Sequence, residues 1–336
     1  GAIGDCFGAT EAECPHDSTG AFEAAMNLYP GGPLANQLTV HVPRGAYRLD
    51  GTLQLSCALV LEHGATLHRI AVNGTDHNTG PLAWLDSARA SLRGGGLISH
   101  VPSPDGVVSI GPSGPADYPV EWCLLEGLTI QGAGQSAPRR PDGSVLPPQP
   151  QLLDSVGVQM HGQETYQNIV RGLTVSDVDI GIQLGHNTNA NQLSDNMLLG
   201  IGKWGYHLVN CSESTITGGF VAGHGGNTTV IRGEGVYALL AHGIQSEPGP
   251  RSRAFDFDAR SLGNTIVSHD NDAMAGRTLD RTFSQLTSGG LFAGDFSDTA
   301  TTYSGVGLDY RLGLQIEARG YVKQLETQSL ACRDPR

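Results

Sequence analysis

The sequence has no long apolar run. Nowhere do 18 consecutive residues stay apolar, so no membrane-spanning helix is expected. It is also short of charge: Asp, Glu, Lys and Arg make up 16% of the 336 residues, against about a quarter in an ordinary soluble domain. Positive charge is scarcer still, with 20 Lys and Arg against 33 Asp and Glu and a net charge of −13. A chain with that balance offers no broad basic surface for phosphates, so nucleic acid is excluded as an expected partner. No CxxC pair occurs among the six cysteines, Cys6, Cys14, Cys57, Cys123, Cys211 and Cys332. A zinc site is therefore not expected, and neither is any other metal or cofactor.

Glycine is abundant, at 47 residues. Low charge with many Gly and Asn favours a turn-rich β protein over a helical one. The length suits one large all-β domain or two ordinary ones. Cys6 and Cys14 lie in one short loop and can close a small disulfide. Three N-x-S/T triplets begin at Asn73, Asn210 and Asn227. Together these point to a secreted, extracellular protein, here expected in its mature form without a leader segment.

Asp17, Ser18 and Thr19 can cap a helix running to about Tyr29, with Phe22, Ala25, Met26 and Tyr29 on one face. Short alternating strands follow from "LTVHVPRGAYRL" onward, and no second helix is expected. The strands repeat. "GVQM" at Gly157, "GIQL" at Gly181 and "GYHL" at Gly205 are 24 residues apart, and a further step of 24 lands on Thr229. Each is accompanied by two more hydrophobic segments in the same order. "GLTI" at Gly127 and "GLTV" at Gly172 show the repeat stretched by an insertion, at 134–152, whose prolines cannot continue a ladder. Three short strands per period of about 24 residues read as a right-handed parallel β-helix, in which stacked coils build one continuous core. The expected organisation is a single domain over 1–336. Residues 1–35 form an N-terminal loop and capping helix, 36–275 the coils, and 276–336 further coils or a cap. A leucine-rich horseshoe or a propeller fits less well.

The segments "GAIGD" at Gly1, "HDSTGAFEAAMN" from His16 and "TVHVPRGAYRLDGTLQL" from Thr39 resemble the opening of the pectate-lyase superfamily, in its pectate lyase 3-like branch. That branch includes polysaccharide-cleaving enzymes and phage tailspikes. The resemblance implies a parallel β-helix and a carbohydrate partner. It does not choose among lyases, hydrolases, epimerases and non-catalytic fibres, all of which the same fold serves.

On a β-helix, outward side chains stack in columns about 4.8 Å apart. A step of 24 residues puts Gln159, Gln183, His207, Ile231 and then Asp256 in one column. Ser155, Asp179, Lys203 and Asn227 form another, at its edge. Asp154 and Asp177 lie close to that edge, and the proline-rich insertion can wall a groove there with Arg139 and Arg140. The preferred reading is glycoside hydrolysis by paired carboxylates, drawn from Asp177, Asp179 and Asp256. Gln159, Gln183, Asp154, Arg139, Arg140 and Trp204 would contact substrate. The alternative is β-elimination from a uronic acid, with Lys203 and His207 as base and cation and Arg139 or Arg232 as carboxylate clamp. That alternative is weakened by the lack of a second Lys or Arg in the column. A non-catalytic glycan-binding module, with a trimer as one expected assembly, is the reading from another class. "GHGG" around His224 resembles a Gly-His-Gly of polygalacturonase-like hydrolases, but the companion motifs are missing. His224 and the "SHDND" stretch from Ser268 therefore read as turns.

Overall fold

A computed structural model of the chain describes residues 1–8, 10–27, 38–72, 80–113, 118–133, 155–185, 187–223, 228–247, 253–257, 261, 264–268, 291–295 and 315–319. The described strands are short and pair in parallel, in three long sheets of 11, 8 and 8 strands. Each coil visits the sheets in the same order. The first sheet begins with Thr39–Val42, the second with Gly45–Arg48 and the third with Leu53–Leu55. The next coil then lays Ala58–Leu61 on the first of these. The chain is thus a right-handed parallel β-helix, as its period implied.

The core is a set of inward columns. On the first sheet Val170, Leu193, Ile216 and Ala241 lie in register, all fully buried or nearly so. On the third, Val158, Ile182, Tyr206 and Ile231 follow one another. The glycine that opens each third-sheet repeat has a steric cause. A Cβ at Gly157 would lie 2.3 Å from Val175 Cγ1, and one at Gly205 would lie 2.8 Å from Val221 Cγ1. The corner therefore brings backbone against the second sheet's core side chains, where no side chain fits.

Buried amides tie coil to coil. Asn168 Oδ1 accepts from the Cys123 backbone N–H at 2.9 Å. Asn191 Oδ1 accepts from both the Asn168 backbone and its Nδ2, at 3.0 and 3.1 Å. Asn189 accepts from the Ser212 hydroxyl at 2.8 Å. These Asn residues satisfy backbone and side-chain partners on the neighbouring coil.

One helix, Thr19–Met26, covers the open first coil with Phe22 and Met26 buried and Ala25 half-buried. Phe22 meets Tyr47 edge-on at 5.6 Å. The helix ends at Met26, short of Tyr29, which lies outside the described residues. Ser18 is its N-cap by position but makes no side-chain cap bond. That role passes to Asp17, whose Oδ1 accepts from the Thr19 N–H (3.0 Å), the Thr19 hydroxyl (2.6 Å) and the Asp50 N–H (3.0 Å). The loop before the helix is closed by a Cys6–Cys14 disulfide, while Cys57, Cys123 and Cys211 are buried thiols. No described helix is long and apolar enough to cross a membrane. Strands Leu291–Asp295 and Gln315–Arg319 extend the first sheet.

Candidate functional site

The outward column of the third sheet runs Gln54, Trp84, Ser109, Gln159, Gln183, His207, Arg232. Sequence spacing had placed Ile231 after His207. The strand Thr229–Glu234 instead pairs Trp204 with Thr229 and His207 with Arg232, one residue out of the 24-residue step. Ile231 then faces inward, at 2% exposure. The reason is side-chain burial: a one-residue slip in a strand exchanges its faces, and only this register puts Ile231 in the core.

The slip assembles a polar cluster whose members lie on three consecutive coils. Gln183 Nε2 donates to His207 Nδ1 at 3.1 Å. His207 Nε2 is then the protonated nitrogen, and it faces Glu234 Oε1 at 3.6 Å, an ion-pair distance too long for a hydrogen bond. Arg232 Nε donates to the same oxygen at 3.2 Å. Trp204 packs on the imidazole with ring centroids 4.1 Å apart. Lys203 Nζ lies 5.9 Å from the Trp204 ring centre. His207 is 7% exposed, whereas Gln183, Lys203, Trp204, Arg232 and Glu234 are half-buried around it. Burial is the main force on the His207 pKa and lowers it. The Glu234 carboxylate pulls the other way, Arg232 and Lys203 add to the lowering, and the net shift is downward. The imidazole is neutral at pH 7.

Asp177 and Asp179 lie off this face, at the corner between the second and third sheets, and are 7% and 5% exposed. Asp177 adopts a left-handed φ of 57°, and its Oδ2 accepts from Gln131 Nε2 at 3.0 Å. Asp179 Oδ1 lies 2.5 Å from where a Cβ on Gly202 would be, so the next coil's backbone covers it. The expected stacking of Ser155, Asp179 and Lys203 is present in the backbone. The Asp179 N–H donates to Ser155 O at 2.9 Å and the Lys203 N–H to Asp179 O at 2.8 Å. The backbone of Asp256 pairs in register with Arg232. Gln159 is in the column and half-buried. Asp154, Arg139, Arg140, His224, Asn227 and His269–Asp272 lie outside the described residues.

Two members of the face escaped the sequence reading. Glu234 follows Arg232 by two residues, so the alternation in "TVIRGE" puts both on one side once Ile231 is taken as core. Trp84 is visible only once Leu53–Leu55 and Ala83–Leu85 are paired across the long intervening segment. It donates its Nε1–H to Gly111 O at 2.8 Å and meets His161 edge-on. Among the described residues no group of three or more His, Cys, Asp or Glu is placed to hold a metal ion.

No family model matches the sequence, and no curated protein matches it. Solved structures do. The A-module of a mannuronan C-5 epimerase from Azotobacter vinelandii superposes with a TM-score of 0.51 at 12% identity, covering 95% of this chain and 97% of that one. The enzymatically active domain of tailspike protein 2 of bacteriophage CBA120 gives 0.43 at 12% identity, over 91% of this chain and 44% of that one. At such identity the likeness is one of architecture: the chain has the parallel β-helix fold of the epimerase module.

Proposed function

We propose that this protein acts on a uronic-acid-containing polysaccharide laid along the third sheet, and that its reaction begins by removing the C5 proton of a uronate. The observation that carries the reading is the place of Arg232. It stands directly beside His207 in the outward column, with Lys203 and Trp204 on the coil below, in a chain otherwise poor in cations. Among the described residues no second cation follows Lys203 in its own column; the corrected register instead sets Arg232 beside His207 in the neighbouring one, which supports a two-cation clamp.

Arg232 and Lys203 hold the uronate carboxylate, which spreads the charge that builds as C5 loses its proton. His207 accepts that proton on Nδ1, the nitrogen that carries no hydrogen, once the Gln183 amide turns away from it, while Nε2–H stays toward Glu234. Trp204 offers an apolar ring face to the sugar. In the elimination that follows, the C5–H electrons form the C4–C5 double bond. The C4–O bond breaks with its pair on oxygen, and water supplies the proton that the departing oxygen takes. The Cys6–Cys14 disulfide supports a secreted protein meeting such a polymer outside the cell. Asp177 and Asp179 serve the corner in this reading. A hydrolytic reading keeps one specific support: the strand carrying Asp256 pairs with the strand carrying Glu234, so two carboxylate residues stand on neighbouring coils of the third sheet.

The test is incubation with polymannuronate, polygalacturonate, a glycosaminoglycan and neutral glycans. Ultraviolet absorbance of the unsaturated product and reducing ends are followed together. Both signals rising together on a polyuronate is the expected result. Reducing ends without the double bond mean hydrolysis and overturn the elimination. No product from any glycan overturns the enzymatic reading altogether.

A further inference from the structure

A second feature lies on a different face, away from the third-sheet column. The second sheet carries an open depression of about 540 Å³ lined by Asp195, Met197, Gly219, Phe220, Gly243 and Gln245. That volume falls within the range of small-molecule sites. Met197, Phe220 and Gln245 are register partners on three consecutive coils, so they form a strip about 10 Å long at the usual strand spacing. Met197 is 45% exposed, Phe220 is half-buried, and Asp195 and Gln245 are exposed. Gly219 and Gly243 line it with backbone alone.

Asp195 breaks a pattern. At six corners between first and second sheets the residue directly after the first-sheet strand is left-handed: Gly94, Gly127, Gly172, Asp195, Gly218 and Gly243, with φ of 68°, 63°, 62°, 54°, 62° and 69°. Five are glycine, which takes this conformation without a Cβ penalty, and Asp195 alone is not. Its Oδ1 lies 2.5 Å from where a Cβ on Gly218 would be, so the carboxylate occupies the room that the next glycine leaves.

We infer that this depression is a binding site for an uncharged sugar residue, one that no part of the third-sheet reading requires. An aromatic face with a thioether beside it packs against the C–H face of a pyranose. A carboxylate and a primary amide at the rim accept and donate hydrogen bonds to its hydroxyls. Asp195 repels a uronate, so the site selects against the charged residues that the third sheet attracts. A second copy of the chain is a poorer occupant, because the hollow is concave and docking would bury the Asp195 carboxylate against apolar side chains.

The experiment is titration of the full chain with neutral tetrasaccharides of glucose, mannose and galactose by calorimetry and protein NMR. The Asp195→Gly and Phe220→Ala variants are measured alongside, with thermal unfolding and light scattering on each. The expected result is millimolar-or-tighter binding of one neutral series, weakened at least tenfold by Asp195→Gly. That variant should keep or raise Tm, because it installs the residue used at the other five of these corners. Unchanged turnover on polyuronate in both variants is also expected, which separates this site from the third-sheet one. The inference is overturned if none of the tetrasaccharides binds, or if binding ignores both substitutions. It is equally overturned if the wild type self-associates and Phe220→Ala abolishes that, which would make the depression a protein interface.

Discussion

At position 207, burial and charge pull in opposite directions. An enclosed imidazole resists protonation, Glu234 favours it, and the two nearby cations oppose it; the folded pKa ends below the ordinary 6.5. The neutral form is the proton acceptor, so its loss sets the acidic limb of the rate. The expected profile of kcat/KM on a polyuronate falls with decreasing pH only below pH 6.5. A limb centred above that value would remove His207 from the proton step. The same shift makes His207 a source of acid sensitivity in folding. The unfolded imidazole binds protons more readily, so stability is lost as pH falls below the unfolded pKa. His207→Gln keeps an amide to face Gln183 and should lower kcat by about 10²–10⁴ with a small change in KM, as expected for loss of a positioned base. Arg232→Gln should lower kcat/KM by about 10²-fold, the usual cost of losing one charge-stabilising donor. The sequence offered Arg232 as one of two candidate clamps for a site at His207, but not its place directly beside that residue. A repeat of 24 residues fixes a column to within one residue, but one residue decides which face a side chain takes. Ile231 and Arg232 are told apart only by which of them the core accepts.

Among the elements, the N-terminal helix was legible and its capping residue was not. "DST" signals an N-terminus, but three adjacent oxygens compete for one role, and the winner depends on the partner brought by the fold. Asp17 forms a parallel bridge with Arg48 at the edge of the second sheet, which carries the Asp50 N–H within its reach. Burial raises the Asp17 pKa, but the Thr19 hydroxyl and the backbone N–H groups of Thr19 and Asp50 outweigh it. With Arg48 adding to the effect, the folded value lies below 3.8. The stability it contributes is therefore fully present above pH 3.8 and lost as pH falls through the depressed value. Asp17→Ala strands those donors and should cost about 1–2 kcal/mol, the scale of a lost helix cap. The variant should also flatten the acid end of the stability curve. Urea unfolding of wild type and variant at neutral and acidic pH checks both. An equal deficit at pH 7 and pH 2 would show that the Asp17 charge contributes nothing. The corners were legible in part. Asn189 and Asn191 fall between strands, where each coil needs its backbone satisfied. Asp177 and Asp179 carry the same signal, a polar doublet beside a strand, whether they serve a corner or a substrate. Only their burial and the backbone lying over Asp179 separate the two roles.

For the whole molecule, stacking made the fold legible: when each coil contacts only its neighbours, one period in the sequence repeats as one layer in space. Function does not repeat, so it stands out only as a departure from the period. The net charge of −13 is a property at this scale, and it opposes the local chemistry of the third-sheet face. A polyuronate approaching from far away meets an acidic body; once seated, it meets Arg232 and Lys203. Salt acts on the two at different distances. The Debye length is about 30 Å at 0.01 M and about 10 Å at 0.1 M, so the first additions of salt screen the long-range repulsion while contacts of a few ångströms are little affected. Higher salt then weakens the clamp itself. The kcat/KM for a polyuronate is therefore expected to rise between about 0.01 and 0.1 M ionic strength and to fall toward 1 M. A neutral oligosaccharide bound at the second-sheet depression should show no such dependence. A monotonic fall from the lowest salt would mean that the field at the third sheet is already attractive at long range, and that Arg232 and Lys203 outweigh the charge of the rest of the chain.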